Sequence, residues 1–101
     1  MRVTIAGRHM DVSDELKAWV EKKVKRFPKF YSREPLHCEV VLDNENESRK
    51  AVEIKYHSGG KVFVAKYESV DFNIAIDKAV DKMERQLRRF EDKISKRKGR
   101  E

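Results

Sequence analysis

The chain has few of the residues that staple or punctuate a small fold. Its single cysteine, Cys38, excludes a disulfide within the chain and fits a reducing cytoplasm. No apolar run approaches the ~18 residues of a membrane span, and the opening MRVTIAGRHM lacks the apolar core of a signal peptide. Two prolines and four glycines leave few breakers, and no repeat or low-complexity domain interrupts the 101 residues. That length supports one domain with a modest core, burying roughly 60–70% of its unfolded surface. What the chain has is charge. Its 24 Lys+Arg outnumber 18 Asp+Glu, a formal net charge of +6 with a pI near 9.5. Such a balance points to nucleic acid or another polyanion, although a surface rich in ion pairs also fits the 42% charged fraction.

The stretch from Asp71 to Lys93 carries the clearest pattern. Phe72, Ile76, Val80, Met83, Leu87, Phe90 and Ile94 recur at spacings of four and three, one face of an amphipathic helix that must be buried. At ~100° per residue, Lys78, Lys82, Arg85, Arg89, Lys93 and Lys96 fall on one flank. Asp77, Asp81, Glu84 and Glu91 fall on the other, with Arg88 as the exception. The sorting fits an anionic partner on the basic side, or a solvated face with pairs such as Asp81 to Arg85.

In chain order, Arg2–Ala6 alternates as a short strand ended by Gly7, and Ser13 caps a helix with Asp14 and Glu15 in its first turn. Leu16, Val20, Val24 and Phe27 form its buried stripe, with Trp19 at the edge and Pro28 as its stop. Lys22, Arg26 and Lys29 run beside that stripe, Lys25 lies further round, and Lys23 sits one turn beyond Trp19. Leu36 to Asp43, Arg49 to His57 and Lys61 to Tyr67 alternate as three strands, with Asn44 to Ser48 and Ser58-Gly59-Gly60 as turns. In the last strand Phe63 and Ala65 are placed inward, because the opposite parity would bury Lys66. The expected fold is α+β, in the order β-α-β-β-β-α, with a four-stranded antiparallel-rich sheet and two helices on one face. Residues 1–94 form this single domain and 95–101 a basic, flexible tail.

Catalytic machinery is not apparent. His37 and Cys38 are strand neighbours that point to opposite faces, and His9 and His57 have no ligand-spaced partner, so no metal site is expected. Gly59-Gly60-Lys61 lacks the outer glycine and the hydroxyl residue of a phosphate-binding loop. Glu39 and Glu53 read as ion-pair partners rather than an acid and a base. Neither an enzyme nor a cofactor is expected.

Two motifs resemble a known family. Gly7-Arg8-His9-x-x-Val12-Ser13 with Leu16 and Trp19, and Asp71-Phe72-x-x-Ala75-Ile76-Asp77-x-Ala79 with Lys82-Met83-x-Arg85-Gln86-Leu87, are similar to the ribosome hibernation-promoting factors and protein Y. The likeness runs from residue 1 to about residue 94, and the second motif is the specific one. It implies the same β-α-β-β-β-α fold and a partner in the small ribosomal subunit and its rRNA within the 70S ribosome. The implied site is the decoding region, at the A and P sites of the messenger RNA channel, where binding keeps idle ribosomes inactive under stress or in stationary phase. By the same resemblance Arg8, Lys23, Arg26, Lys29, Lys82, Arg85, Arg89 and Lys93 contact RNA; the helical wheels add Lys22, Lys25 and Lys78. A cytoplasmic protein, monomeric on its own and without a membrane or small-molecule partner, is expected. Phe72-Asn73 departs from the methionine and tyrosine usual in the family. The chain also shows neither the C-terminal domain of long members nor the acidic tail of protein Y, as in a short form or the N-terminal domain of a long one. The alternative is a general double-stranded-RNA-binding domain, which shares the order α-β-β-β-α but places lysines where Asp71 and Asp77 stand.

Overall fold

The computed structural model describes residues 1–99, with side chains described through Ser95. Strand β1 (Arg2–Arg8) leads through helix α1 (Asp14–Val24) and a short 3₁₀ turn (Phe27–Lys29) to β2 (Leu36–Asn46), β3 (Arg49–Ser58) and β4 (Lys61–Ser69), then helix α2 (Phe72–Gly99). The four strands lie side by side in sequence order. β1 runs parallel to β2, which α1 makes possible as the crossover, while β2, β3 and β4 form an antiparallel meander. Both helices cover one face of this mixed sheet, as expected.

Alternation along the strands builds the covered face. Cys38, Val40 and Leu42 of β2, Val52, Ile54 and Tyr56 of β3 and Ala65 of β4 are buried against Val20 and Val24 of α1 and Ile76, Ala79, Val80, Met83 and Leu87 of α2. The parity chosen for β4 holds, since Val62 and Val64 stand on the open face at 52% and 40% exposure. Five aromatics close one end of the core: Phe27 against Tyr56, and Tyr31, Phe63 and Phe90 in mutual edge contact. Tyr56 donates its hydroxyl proton to the Tyr31 carbonyl at 2.8 Å, so a buried polar group is satisfied.

Several expected boundaries move. Gly7 does not end β1 but lies within it, paired with Leu42 of β2; its glycine serves close approach, since a Cβ there would sit 2.6 Å from the Met10 carbonyl oxygen as the chain doubles back past His9, whose φ is +58°. Helix α1 stops at Val24, before Pro28, and Pro28 instead enters the 3₁₀ turn that lowers Phe27 into the core. Gly59 and Gly60 both adopt positive φ in the β3–β4 hairpin, as its tight turn demands. Helix α2 continues to Gly99, beyond the end expected near residue 94, because no breaker interrupts Ser95 to Lys98. Arg100, Glu101 and the side chains from Lys96 onward, including that basic-flank residue, lie outside the described residues.

Candidate nucleic-acid interface

Helix α2 fixes the arrangement. Asp71 starts it, its carboxylate accepting from the Asn73 amide at 2.8 Å and its carbonyl from Ala75 at 3.0 Å. With Ala75, Ile76, Ala79, Val80, Met83 and Leu87 buried, the two charged flanks must face different surroundings. The acidic flank meets α1. Lys23 Nζ lies 3.3 Å from Asp77 and Arg26 Nε 3.5 Å from Glu84, an ion-pair distance too long for a good hydrogen bond. Glu84, 8% exposed, is the one charged side chain buried in the core region among the described residues. Arg88, the exception on that flank, places its guanidinium 4.8 Å from the Phe30 ring beside the 3₁₀ turn. Sorting of charge along α2 therefore has a partner inside the protein.

The basic flank faces outward on the β4 side. Lys78, Arg85, Arg89 and Lys93 are exposed and have no ion pair among the described residues. Lys82 is also exposed, but its ammonium donates to the Lys66 carbonyl at 2.9 Å and lies 5.7 Å from the Tyr67 ring. One turn on, Gln86 donates to the Val64 carbonyl at 2.7 Å. These two bonds occupy carbonyls of the β4 edge that would otherwise invite another strand. Lys61, over the Phe90 ring at 4.5 Å, extends the positive surface toward Lys93.

On α1 the predicted set divides. Lys22, Lys25 and Lys29 are exposed and unpaired among the described residues, whereas Lys23, also 4.5 Å over the Trp19 ring, and Arg26 are engaged with α2. The groove between the helices is thus closed by ion pairs rather than lined with free cations. Arg8 is not brought to either helix. It points to the opposite, open face of the sheet, among Val41, Asp43, Glu53 and Lys66.

The family model described as "Sigma 54 modulation protein / S30EA ribosomal protein" matches residues 3–95. The chain belongs to this family. The ribosome hibernation promoting factor of Azotobacter vinelandii is 34% identical over 92% of this chain and 85% of its own length. The ribosome hibernation promotion factor of Deinococcus radiodurans is 32% identical over 91% of this chain, which spans 50% of that relative. The crystal structure of the Thermus thermophilus Protein Y N-terminal domain superposes with a TM-score of 0.80 at 32% identity, covering 89% of this chain and 99% of that one.

Within this S30EA family member, the motif that carried the resemblance is largely structural. Asp71 is the cap, Ala75 and Ala79 are wholly buried where a larger side chain would collide, and Met83 and Leu87 are core. Phe72, the departure from the family pattern, is half-buried and packs against that core, beside an open cleft between the starts of α1 and α2 that Leu16 and Trp19 also line. Chemistry at the surface is sparse. Burial pushes the Cys38 thiol up to about 12, from 9.0, so it is no nucleophile near neutral pH. Glu53 pairs with Lys66 at 3.1 Å, the ion-pair role expected of it, and Glu39 meets His57 at a hydrogen-bonding distance of 3.2 Å. Sequence reasoning missed one grouping: strand pairing sets His57 directly opposite His37, which shares its face with Glu39.

Proposed function

We propose that this protein is a ribosome-associated hibernation factor that binds the small subunit in the decoding region and keeps idle ribosomes inactive. The observation that carries the reading is the open basic flank of α2. Lys78, Arg85, Arg89 and Lys93 are held by a rigid, core-packed helix and left without ion-pair partners among the described residues, while Asp77 and Glu84 of the acidic flank are engaged by α1. The names of its relatives support a ribosome-bound role in hibernation. A folded RNA offers phosphates and 2′-hydroxyls, which rigidly spaced cations recognise by shape rather than by base sequence. Lys22, Lys25 and Lys29 form a second contact from α1, Lys82 contributes charge while closing the sheet edge, and Arg8 reaches a separate RNA element from the open sheet face. Lys23 and Arg26 act mainly by fixing α1 on α2. No bond is broken: occupying the messenger and transfer RNA path inhibits by exclusion.

A binding comparison at one moderate salt concentration tests this. The protein should bind the isolated small subunit at least ~100-fold, or about 2.7 kcal/mol, more tightly than a perfect RNA duplex, and should compete with transfer RNA. A double-stranded-RNA module, satisfied by any A-form helix, would bind both equally and leave transfer RNA in place. That outcome would replace the reading with a general duplex binder.

A further inference from the structure

The sheet's open face, away from both helices, carries a cluster that ribosome binding through the helices does not use. His37 and Glu39 are two residues apart on β2 and so share a face, and His57 of β3 stands directly across from His37. One ligand atom from each of the three lies within 4.8 Å of the others. The His37 and His57 rings are stacked at 5.5 Å with 20° between their planes. His57 Nε2 and Glu39 Oε2 are 3.2 Å apart. We propose that His37, Glu39 and His57 form a binding site for a divalent transition ion of the zinc type.

The donor set fits that class of ion. Two imidazoles and a carboxylate suit zinc, nickel, cobalt and copper, whereas calcium and magnesium demand oxygen ligands throughout. A tetrahedral ion ~2.0–2.2 Å from each ligand needs donors roughly 3.3–3.5 Å apart, so the His57–Glu39 separation already matches one edge. The third ligand must close in by up to ~1.5 Å from the 4.8 Å limit, which rotation of a half-buried side chain on an open face allows. Thr4 Oγ1, 3.3 Å from His37 Nε2, can accept a ring proton there and leave Nδ1 as the basic nitrogen, the outer support that metal-bound imidazoles usually have. Both histidines sit on the paired central strands β2 and β3, so their backbone spacing is fixed before an ion arrives. Lys55, opposite Glu39 in the register, opposes the ion's charge without removing a ligand. With three protein ligands, the remaining position opens to solvent for water or an anionic oxygen.

Titration of tag-free full-length protein with Zn²⁺, against a chromophoric chelator, tests the site. One ion per chain is expected. His37→Ala and His57→Ala should each weaken binding by more than the ~10–100-fold typical of losing an outer-shell partner. His9→Ala should change nothing, because its partner Asp43 offers only a second ligand, at 2.9 Å. The Co²⁺-loaded wild-type protein supplies a readout independent of any variant. Visible absorption of a low-coordinate nitrogen and oxygen site is expected. A spectrum like that of the hydrated ion, the absence of saturable Zn²⁺ binding, or equal binding by the His37→Ala/His57→Ala variant would each overturn the proposal.

Discussion

Lysines and arginines on α1 and on α2 are interchangeable in composition and are used differently by the fold. Those of α1 nearest the second helix are internal: Lys23 and Arg26 answer Asp77 and Glu84 across the helix contact. Those on the far flank of α2 are external, with Lys78, Arg85, Arg89 and Lys93 exposed on the side away from Asp77 and Glu84. An amphipathic helix with sorted charges thus does two jobs, docking by one flank and presenting a positive field by the other. The difference shows why net charge is a poor guide to an interface. Of two cations on the same helix, only the one without an internal partner is free to release counterions from RNA.

The largest effect expected from breaking this asymmetry is on binding. Reversing Arg85, Arg89 and Lys93 to glutamate should weaken ribosome binding by ~100-fold or more and lower the salt slope by about three, with the melting temperature nearly unchanged. Cosedimentation equal to wild type by the folded variant would show that this flank is only solvated. Next in size is a change confined to the fold. Tyr56→Phe leaves the buried Tyr31 carbonyl without its donor and should cost ~1–3 kcal/mol in denaturant unfolding, while ribosome affinity of the folded fraction stays put. Smaller again is Arg26→Ala, expected to cost ~1–2 kcal/mol, between the limits for exposed and buried ion pairs, because it strands the nearly buried Glu84 carboxylate. Adding Glu84→Gln should recover part of that loss. A single variant that keeps full stability but loses binding would instead make Arg26 an RNA contact.

Much of this was legible because one period carries one consequence. The spacing of four and three from Phe72 to Ile94 forces a buried stripe, and the parity of β4 follows from the refusal to bury Lys66. Other features depend on distance that local patterns do not encode. That Asp77 and Glu84 would find Lys23 and Arg26 depends on how the two helices lie across the sheet. The orientation of Arg8 was missed because Gly7 looked like a stop, whereas β1 runs on through it and places alternate residues on the open face. For the same reason His57 had no partner in sequence: only the β2–β3 register sets it across from His37. The early end of α1 shows propensity yielding to packing, since Phe27 reaches the core through a tighter turn that Pro28 tolerates at its start.

The smallest effect separates the sheet face from the helix face by its response to acid. Glu39 is held below the ordinary carboxylate value of 4.5, chiefly by the hydrogen bond from His57; desolvation, next in size, pushes it up, and the smaller charge effects of His57, His37 and Lys55 each pull it down. A carboxyl whose folded value is depressed binds protons more readily in the unfolded chain, so its contribution is fully present above the unfolded value and disappears as pH falls through the folded one. Of the other groups on this face Thr4 is neutral and Lys55 positive, while the one nearby carboxylate, Glu53, is paired with Lys66 at 3.1 Å. Glu39→Gln, melted in the presence of chelator so that no metal contributes, should therefore be slightly less stable than wild type near neutral pH. The gap should close as the pH falls through the acid range. The Arg85, Arg89 and Lys93 reversal should leave the wild-type acid limb of Glu39 in place, because those side chains lie across the core from it. A gap between Glu39→Gln and wild type that stays constant or widens toward acid would mean that the His57 contact does not hold the carboxylate in solution.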